Sequence, residues 1–173
     1  MRKQQREAIL ALLEETYMGT ETALNYSTPF ELLVAVIMSA QCTDERVNKI
    51  TARIFPKYNT PEKMGALSQE QLEEEIRDCG LFRSKAKNLL ATCKMLTEEY
   101  NSVIPDTVEE LMKLPGVGKK TANVVASIVY KVPAIAVDTH VFRVSHRLGL
   151  AKGDDPLAVA VSYTHLRAHE TPE

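Results

Sequence analysis

Leu114-Pro115-Gly116-Val117-Gly118-Lys119-Lys120-Thr121-Ala122 decides how the chain is read. Gly116 and Gly118 admit backbone conformations closed to residues with a side chain, and they let amide N–H groups approach a phosphate without obstruction. The positive end of the helix expected from Lys119 adds to that attraction. Pro115 fixes the angle at which the chain enters the turn, while Leu114 and Val117 anchor it between two helices. Two glycines one residue apart say little alone, but the run from Leu114 to Lys119 between two helices is a specific pattern. Such a turn grips a nucleic-acid backbone without reading its sequence.

Working outward, helical patterns fill the chain. Thr107 caps a short helix to Lys113, and Lys119 to Tyr130 carries Val124, Val125, Ile128 and Val129. Residues 2–16 read as an amphipathic helix through Ala8, Ile9, Leu12 and Leu13. Thr28-Pro29 starts another, and Phe30 to Ser39 is apolar nearly all round, as a central buried helix would be. Asp44 is expected to cap a third, through Val47, Ile50 and Ile54 to Phe55, with Pro56 ending it. After a turn around Asn59-Thr60-Pro61, Ser68 heads a helix closed by Cys79-Gly80, and Ser84 opens a longer one to Tyr100. No segment alternates with period two for long enough to form a sheet, and Ala134 to Val137 reads as an extended connector. The expected class is all-α.

Lys120 falls in the first turn of its helix, where aligned peptide dipoles disfavour a positive charge, while a carboxylate brought beside it would favour that charge, two opposing effects that the sequence leaves open. A neutral amine is a nucleophile. The carboxylate of Val137-Asp138-Thr139-His140 follows 18 residues after Lys120. A helix from Lys120 to Tyr130 is about 16 Å long, and the stretch from Lys131 to Val137, if extended, covers up to about 24 Å. The chain can therefore return Asp138 to the lysine, to take a proton from the amine or to steady positive charge on a sugar ring. Asp138 also reads as the N-cap of a helix from Thr139 to Val144, a role compatible with both.

With 173 residues, 45% of them hydrophobic, the chain can bury an ordinary core as one domain or two small lobes. Its longest apolar run, Leu32 to Met38, is far short of a membrane span, and the N-terminus lacks a signal-peptide core. A soluble intracellular protein is expected. Three cysteines, Cys42, Cys79 and Cys93, are too few and too irregularly spaced for a disulfide framework or a zinc site. The net charge of −2 hides an asymmetry: from Lys113 to Lys152 seven basic residues face one acid, a local +6 that leaves −8 elsewhere. That is the footprint of a protein that meets phosphates on one face.

These residues resemble the helix-hairpin-helix DNA glycosylase superfamily, and within it the endonuclease III family of bifunctional glycosylases and AP lyases. The resemblance runs from about residue 3 to 160 and takes in more than the hairpin. It includes Pro29 to Val36, Ser39-Ala40-Gln41-Cys42-Thr43-Asp44, Gly80-Leu81-Phe82-Arg83-Ser84-Lys85-Ala86, Thr121 to Val125 and Val137 to Val141. It implies two helical lobes flanking a DNA-binding groove: a barrel over 22–132 with the hairpin at 114–120, and a second lobe from 1–21 and 133–160. It implies that Lys120 attacks the anomeric carbon of a flipped, oxidised pyrimidine nucleotide, expels the base and forms a Schiff base, after which β-elimination nicks the strand on the 3′ side. Asp138 matches the family's catalytic aspartate. Gln41 and Leu81 match the residues that fill the hole left in the base stack. Leu114, Gly116, Val117, Gly118 and Lys119 are expected on the DNA backbone. His140 and Arg143 are candidates for the same contact, with a solvated helix surface as the alternative, which is favoured for His146. The implied partner is double-stranded DNA bearing a damaged pyrimidine or an abasic site, met by a cytoplasmic, nucleoid-associated monomer.

The chain departs from the family after about residue 160. The family continues with a four-cysteine loop holding a [4Fe-4S] cluster, and the three cysteines here lie at unrelated positions, so no cofactor is carried over. Residues 161–173 lose the pattern and read as a non-native tail, whose His165 and His169 lack a third ligand, so no metal site is expected. Without the last helices the chain is expected to be less stable than its parent, with an inactive truncated fragment as an alternative reading. The rival function is a non-catalytic hairpin module that holds DNA, against which Lys120 and Asp138 argue together, since binding alone needs neither.

Overall fold

The computed structural model describes residues 3–17, 19, 21–132 and 135–151, and every regular element among them is a helix. In chain order these are α1 (Lys3–Tyr17), α2 (Pro29–Ser39), α3 (Asp44–Ile54), α4 (Pro61–Gly65), α5 (Gln69–Glu75), α6 (Phe82–Glu99), α7 (Val108–Leu111), α8 (Lys119–Tyr130) and α9 (Thr139–Arg147). The chain divides into two compact units. One, Ala23–Lys131, holds α2 to α8; the other joins Met1–Thr22 to Val132–Glu173 and holds α1 and α9.

The first unit is organised by α2. The Thr28 hydroxyl accepts the Glu31 N–H at 3.2 Å, and the Glu31 carboxylate reaches back to the Ser27 N–H at 2.6 Å. These contacts fix the start of α2. From Phe30 to Met38 every side chain is buried. A helix with no polar face is stable only when enclosed, and α3, α6 and α8 pack around it. Outside them α6 carries α4 and α5, and α7 packs on α8. Leu32, Leu33 and Met38 are fully buried together with Ile50, Ile54, Leu89 and Leu96. Each such side chain contributes about 1.5–3 kcal/mol of transfer free energy.

Local chemistry accounts for most helix starts and for the departures from expectation. Thr43, not Asp44, caps α3, accepting the Arg46 N–H at 3.4 Å. Asp44 becomes the first helical residue, where its charge favours the positive helix end. Thr60-Pro61, expected to be a plain turn, starts α4 by the same device as Thr28-Pro29. Ser68 and Gln71 form a reciprocal capping box on α5. That helix stops at Glu75 instead of running to Cys79-Gly80. Single turns such as Cys79 N–H to Ile76 C=O at 2.8 Å bury Ile76 and Cys79, so the apolar spacing is met without a helix. α6 starts at Phe82, ahead of Ser84, and α7 ends at Leu111 before Lys113.

In the second unit Asp138 caps α9, which continues to Arg147, past Val144. It ends on Gly149 (φ +67), with the Gly149 N–H on the His146 carbonyl at 3.0 Å and the Leu150 N–H on the Ser145 carbonyl at 2.9 Å. This is the Schellman closure that a glycine in left-handed geometry supplies. Residues 135–138 carry no strand, as expected of a connector. Ala134, the 161–173 segment and its His165 and His169 lie outside the described residues. No described helix is long and apolar enough to cross a membrane.

Burial on α6 pushes the Cys93 thiol from 9.0 up to about 12, and the Glu62 carboxylate adds to the shift. The unfolded chain therefore loses this proton first. Stability present below about pH 9 declines as pH rises toward about 12. Urea midpoints measured at increasing pH should fall through this range, and Cys93→Ala should flatten part of the decline. Equal slopes in both proteins would show that the thiol does not contribute.

Candidate nucleic-acid interface and active site

The turn between α7 and α8 is a fixed hairpin. Leu114 and Val117 point into the core, and the Val117 N–H closes on the Leu114 carbonyl at 3.1 Å. The α6 helix holds it from behind: the buried Thr92 hydroxyl donates to the Pro115 carbonyl at 2.9 Å. Gly116 has φ +77, and a Cβ there would lie 2.9 Å from the Cβ of Asn88. Both its conformation and its surroundings require glycine. Gly118 does not share the first constraint: with φ −88 and ψ 177 it is ordinary extended backbone, and a Cβ there would meet nothing within 4 Å. The expectation that both glycines serve special backbone angles is corrected to Gly116 alone. At Gly118 the missing side chain leaves room on the open side of the turn.

Gly118 is the N-cap of α8, with Lys119 and Lys120 as the first two helical residues, both exposed. The helices α2 to α5 and α7 all have a serine or threonine hydroxyl bonded to their first turn, and α9 has Asp138. Among helices whose N-cap is described, α6 and α8 have no side-chain cap. The first turn of a helix directs N–H groups outward without intrahelical acceptors, which suits α8 to an anionic group at the hairpin. Lys113, counted in the basic stretch, is engaged on the surface: its ammonium lies 2.5 Å from the Glu110 carboxylate, which raises the lysine's proton affinity.

Leu81 is the N-cap residue of α6, in left-handed geometry at φ 59, and Gln41 has φ 54. For residues with side chains this region costs about 1–2 kcal/mol each. The fold brings the two together, because a Cβ built on Gly80 would stand 2.8 Å from the Gln41 carbonyl oxygen. The loops meet backbone to backbone, and only glycine at position 80 permits it. Leu81 is 57% exposed. A strained backbone presenting a large apolar side chain to solvent is a mark of function more than of packing.

In the other unit the Asp138 carboxylate is half-buried, and its Oδ1 accepts the N–H groups of His140 at 2.9 Å and Val141 at 2.8 Å. Two amides and the helix dipole thus fix its orientation. One turn on, Arg143 donates to His140 Nδ1 at 3.0 Å. A guanidinium can only donate, so the imidazole accepts at Nδ1. His140 and Arg143 form one exposed pair. His146 bonds the Phe142 carbonyl at 2.8 Å and packs against the Phe142 ring in a tilted contact, a helix-surface role. Lys120 and Asp138 belong to different units, and their meeting is a requirement of the chemistry proposed below.

Cys42, Cys79 and Cys93 are free thiols, the last two buried. Among the described residues no group of three or more ligating side chains is gathered that could hold a metal. Asn88 and Thr92, which brace the hairpin, carry no motif in the sequence. Their one signal was polarity beside the apolar stripe of α6, at positions adjoining Leu89 and Cys93.

Residues 34–163 match the family described as HhH-GPD superfamily base excision DNA repair protein. The endonuclease III of Rickettsia conorii is 50% identical over 148 residues, covering 86% of this chain and 70% of that protein. The endonuclease III of Bacillus subtilis is 50% identical over 151 residues, covering 87% and 69%. A solved structure of a trapped endonuclease III–DNA covalent intermediate, an estranged-adenine complex, aligns with a TM-score of 0.86 at 50% identity. The alignment covers 94% of this chain and 76% of that one.

The two hairpin glycines should separate in a stability measurement. Gly116→Ala should cost about 1–3 kcal/mol, since it strains the backbone and strikes Asn88. Gly118→Ala meets no clash and no backbone strain and should cost less, at most about 1 kcal/mol for replacing a glycine N-cap by alanine. Equal losses in urea denaturation would contradict the geometry.

Proposed function

Because the chain belongs to the HhH-GPD superfamily of base excision DNA repair proteins, and within it to the endonuclease III family, we propose that Lys120 and Asp138 carry its chemistry. The chain is a DNA glycosylase with AP lyase activity. Its substrates, in this reading, are oxidised pyrimidines and abasic sites in duplex DNA, met by a monomer on the nucleoid in the cytoplasm. The observation that carries the role of Lys120 is its position: exposed, in the first turn of α8, two residues beyond the open side of a braced hairpin.

The hairpin amides and the α8 dipole hold a backbone phosphate beside the lesion. The damaged nucleotide leaves the stack, and Gln41 and Leu81 occupy the space it vacates. Lys120 Nζ, deprotonated at the moment of attack, bonds to C1′ of the sugar. The glycosidic bond breaks with its electrons leaving on the base, which takes a proton. The C1′–O4′ bond then breaks, O4′ takes the proton that the amine gave up, and a protonated imine is left between Nζ and C1′. The imine acidifies the hydrogens at C2′, and loss of one expels the 3′ phosphate by cleavage of the C3′–O bond. Water then hydrolyses the imine and returns the lysine. Asp138, held by two amides, accepts the amine proton or offsets positive charge on the sugar. The trapped covalent DNA intermediate of the similar endonuclease III supports a reaction that passes through such a bond.

Borohydride reduction on abasic duplex tests the assignment. The parent chain should give a covalent adduct and Lys120→Ala none. Asp138→Asn preserves an N-cap-competent side chain, so it should fold normally while losing about 10²–10⁴-fold in rate. Asp138→Ala should lose in addition about 1 kcal/mol of stability. An adduct in Lys120→Ala would move the nucleophile elsewhere, and binding without any adduct in the parent would favour the non-catalytic hairpin module.

A further inference from the structure

We propose that Lys85 is a positioning residue that sets the Gln41 and Leu81 loops in register for insertion into the base stack. The inference rests on the reading of those two residues as the groups that fill the space of the extruded nucleotide. Lys85 is only 5% exposed, in the first turn of α6. Its ammonium donates to the Met38 carbonyl at 2.8 Å, to the Ala40 carbonyl at 2.6 Å and to Cys79 Sγ at 3.2 Å. Three N–H groups thus meet three acceptors, which is the full capacity of the group.

Those acceptors come from the two segments that carry the wedge. Met38 and Ala40 are at the C-terminal end of α2, three residues and one residue before Gln41, where the negative helix pole favours a cation. Cys79 opens the turn to Gly80 and Leu81. Its thiol donates to the same Met38 carbonyl at 3.3 Å, which leaves a sulfur lone pair for the lysine. Burial pushes the thiol up, so it remains protonated and able to donate. One buried charge therefore ties the α2 end to the α6 start at the point where Gly80 rests on the Gln41 carbonyl.

A residue needed only for packing would be better apolar here, because desolvating an ammonium is costly and a well-packed hydrophobe often does as well. Fixing two strained loops against each other needs directional bonds. Gln41 and Leu81 hold left-handed backbone only while their neighbours over-determine it. Without the ammonium the loops keep their sequence and lose their mutual spacing.

The experiment compares single-turnover strand cleavage at an abasic site in duplex and in single-stranded DNA, since the single strand has no opposing stack to be filled. Lys85→Met should lower the duplex rate about tenfold or more, the equivalent of one charge-assisted hydrogen bond, and leave the single-strand rate near that of the parent. Cys93→Ala, about 12 Å further along the same helix, reports on destabilisation of α6 alone and should leave the duplex-to-single-strand ratio unchanged. The Gln41→Ala, Leu81→Ala double variant should depress the ratio, and adding Lys85→Met to it should depress it little further. A Lys85→Met protein that loses both rates equally, or neither, overturns the positioning role while the wedge stands. A double variant with an intact ratio overturns the wedge reading itself, and the role of Lys85 with it.

Discussion

A helix with no polar face must be enclosed, and that constraint on α2 organises the larger unit. Burying Phe30 to Met38 on all sides draws α3, α6 and α8 around it. The functional features are consequences of this enclosure. Packing α8 on α2 fixes the direction of the helix that begins with Lys119 and Lys120. Packing α6 on α2 sets Asn88 and Thr92 behind the hairpin and delivers the Lys85 ammonium to the carbonyls at the end of α2.

Helix ends divide the molecule into structural and functional parts. Where the chain only needs to fold, hydroxyls from Thr28, Thr43, Thr60, Ser68 and Thr107 satisfy the first turn. At α9 the cap is itself the proposed catalytic carboxylate, so one set of amide bonds serves folding and holds Asp138 for reaction. At α6 and α8 no side chain caps the helix, and these are the two starts that bear Leu81 and the hairpin. Stability gained from caps elsewhere is forgone at the two helix starts proposed to meet DNA.

Much of this was legible in the sequence because it is local. The bounds of α8 follow from the hairpin before it and the apolar period within it, and Thr28, Ser68 and Thr107 announce their helices. Thr60-Pro61 carried the same signal as Thr28-Pro29 and still read as a turn, since five residues are too few to show a period. The start of α6 at Phe82 is not legible, because a left-handed leucine cap has no sequence mark and Ser84 offers a conventional one. Gly116 and Gly118 look alike in the sequence; only their surroundings separate a glycine pressed on Asn88 from one facing open space. Lys85 is the least legible residue of all, since lysines on helices are usually solvated and its three acceptors depend on contacts 6 to 47 residues away in the chain.

Lys119 and Lys120 are adjacent, both exposed, and both behind the same turn, so the central claim is a choice between neighbouring amines. Tandem mass spectrometry of the borohydride-reduced, nuclease-trimmed adduct identifies the amine that carries the sugar. The account predicts the remnant on Nζ of Lys120. A remnant on Lys119, or spread over several lysines, would contradict it.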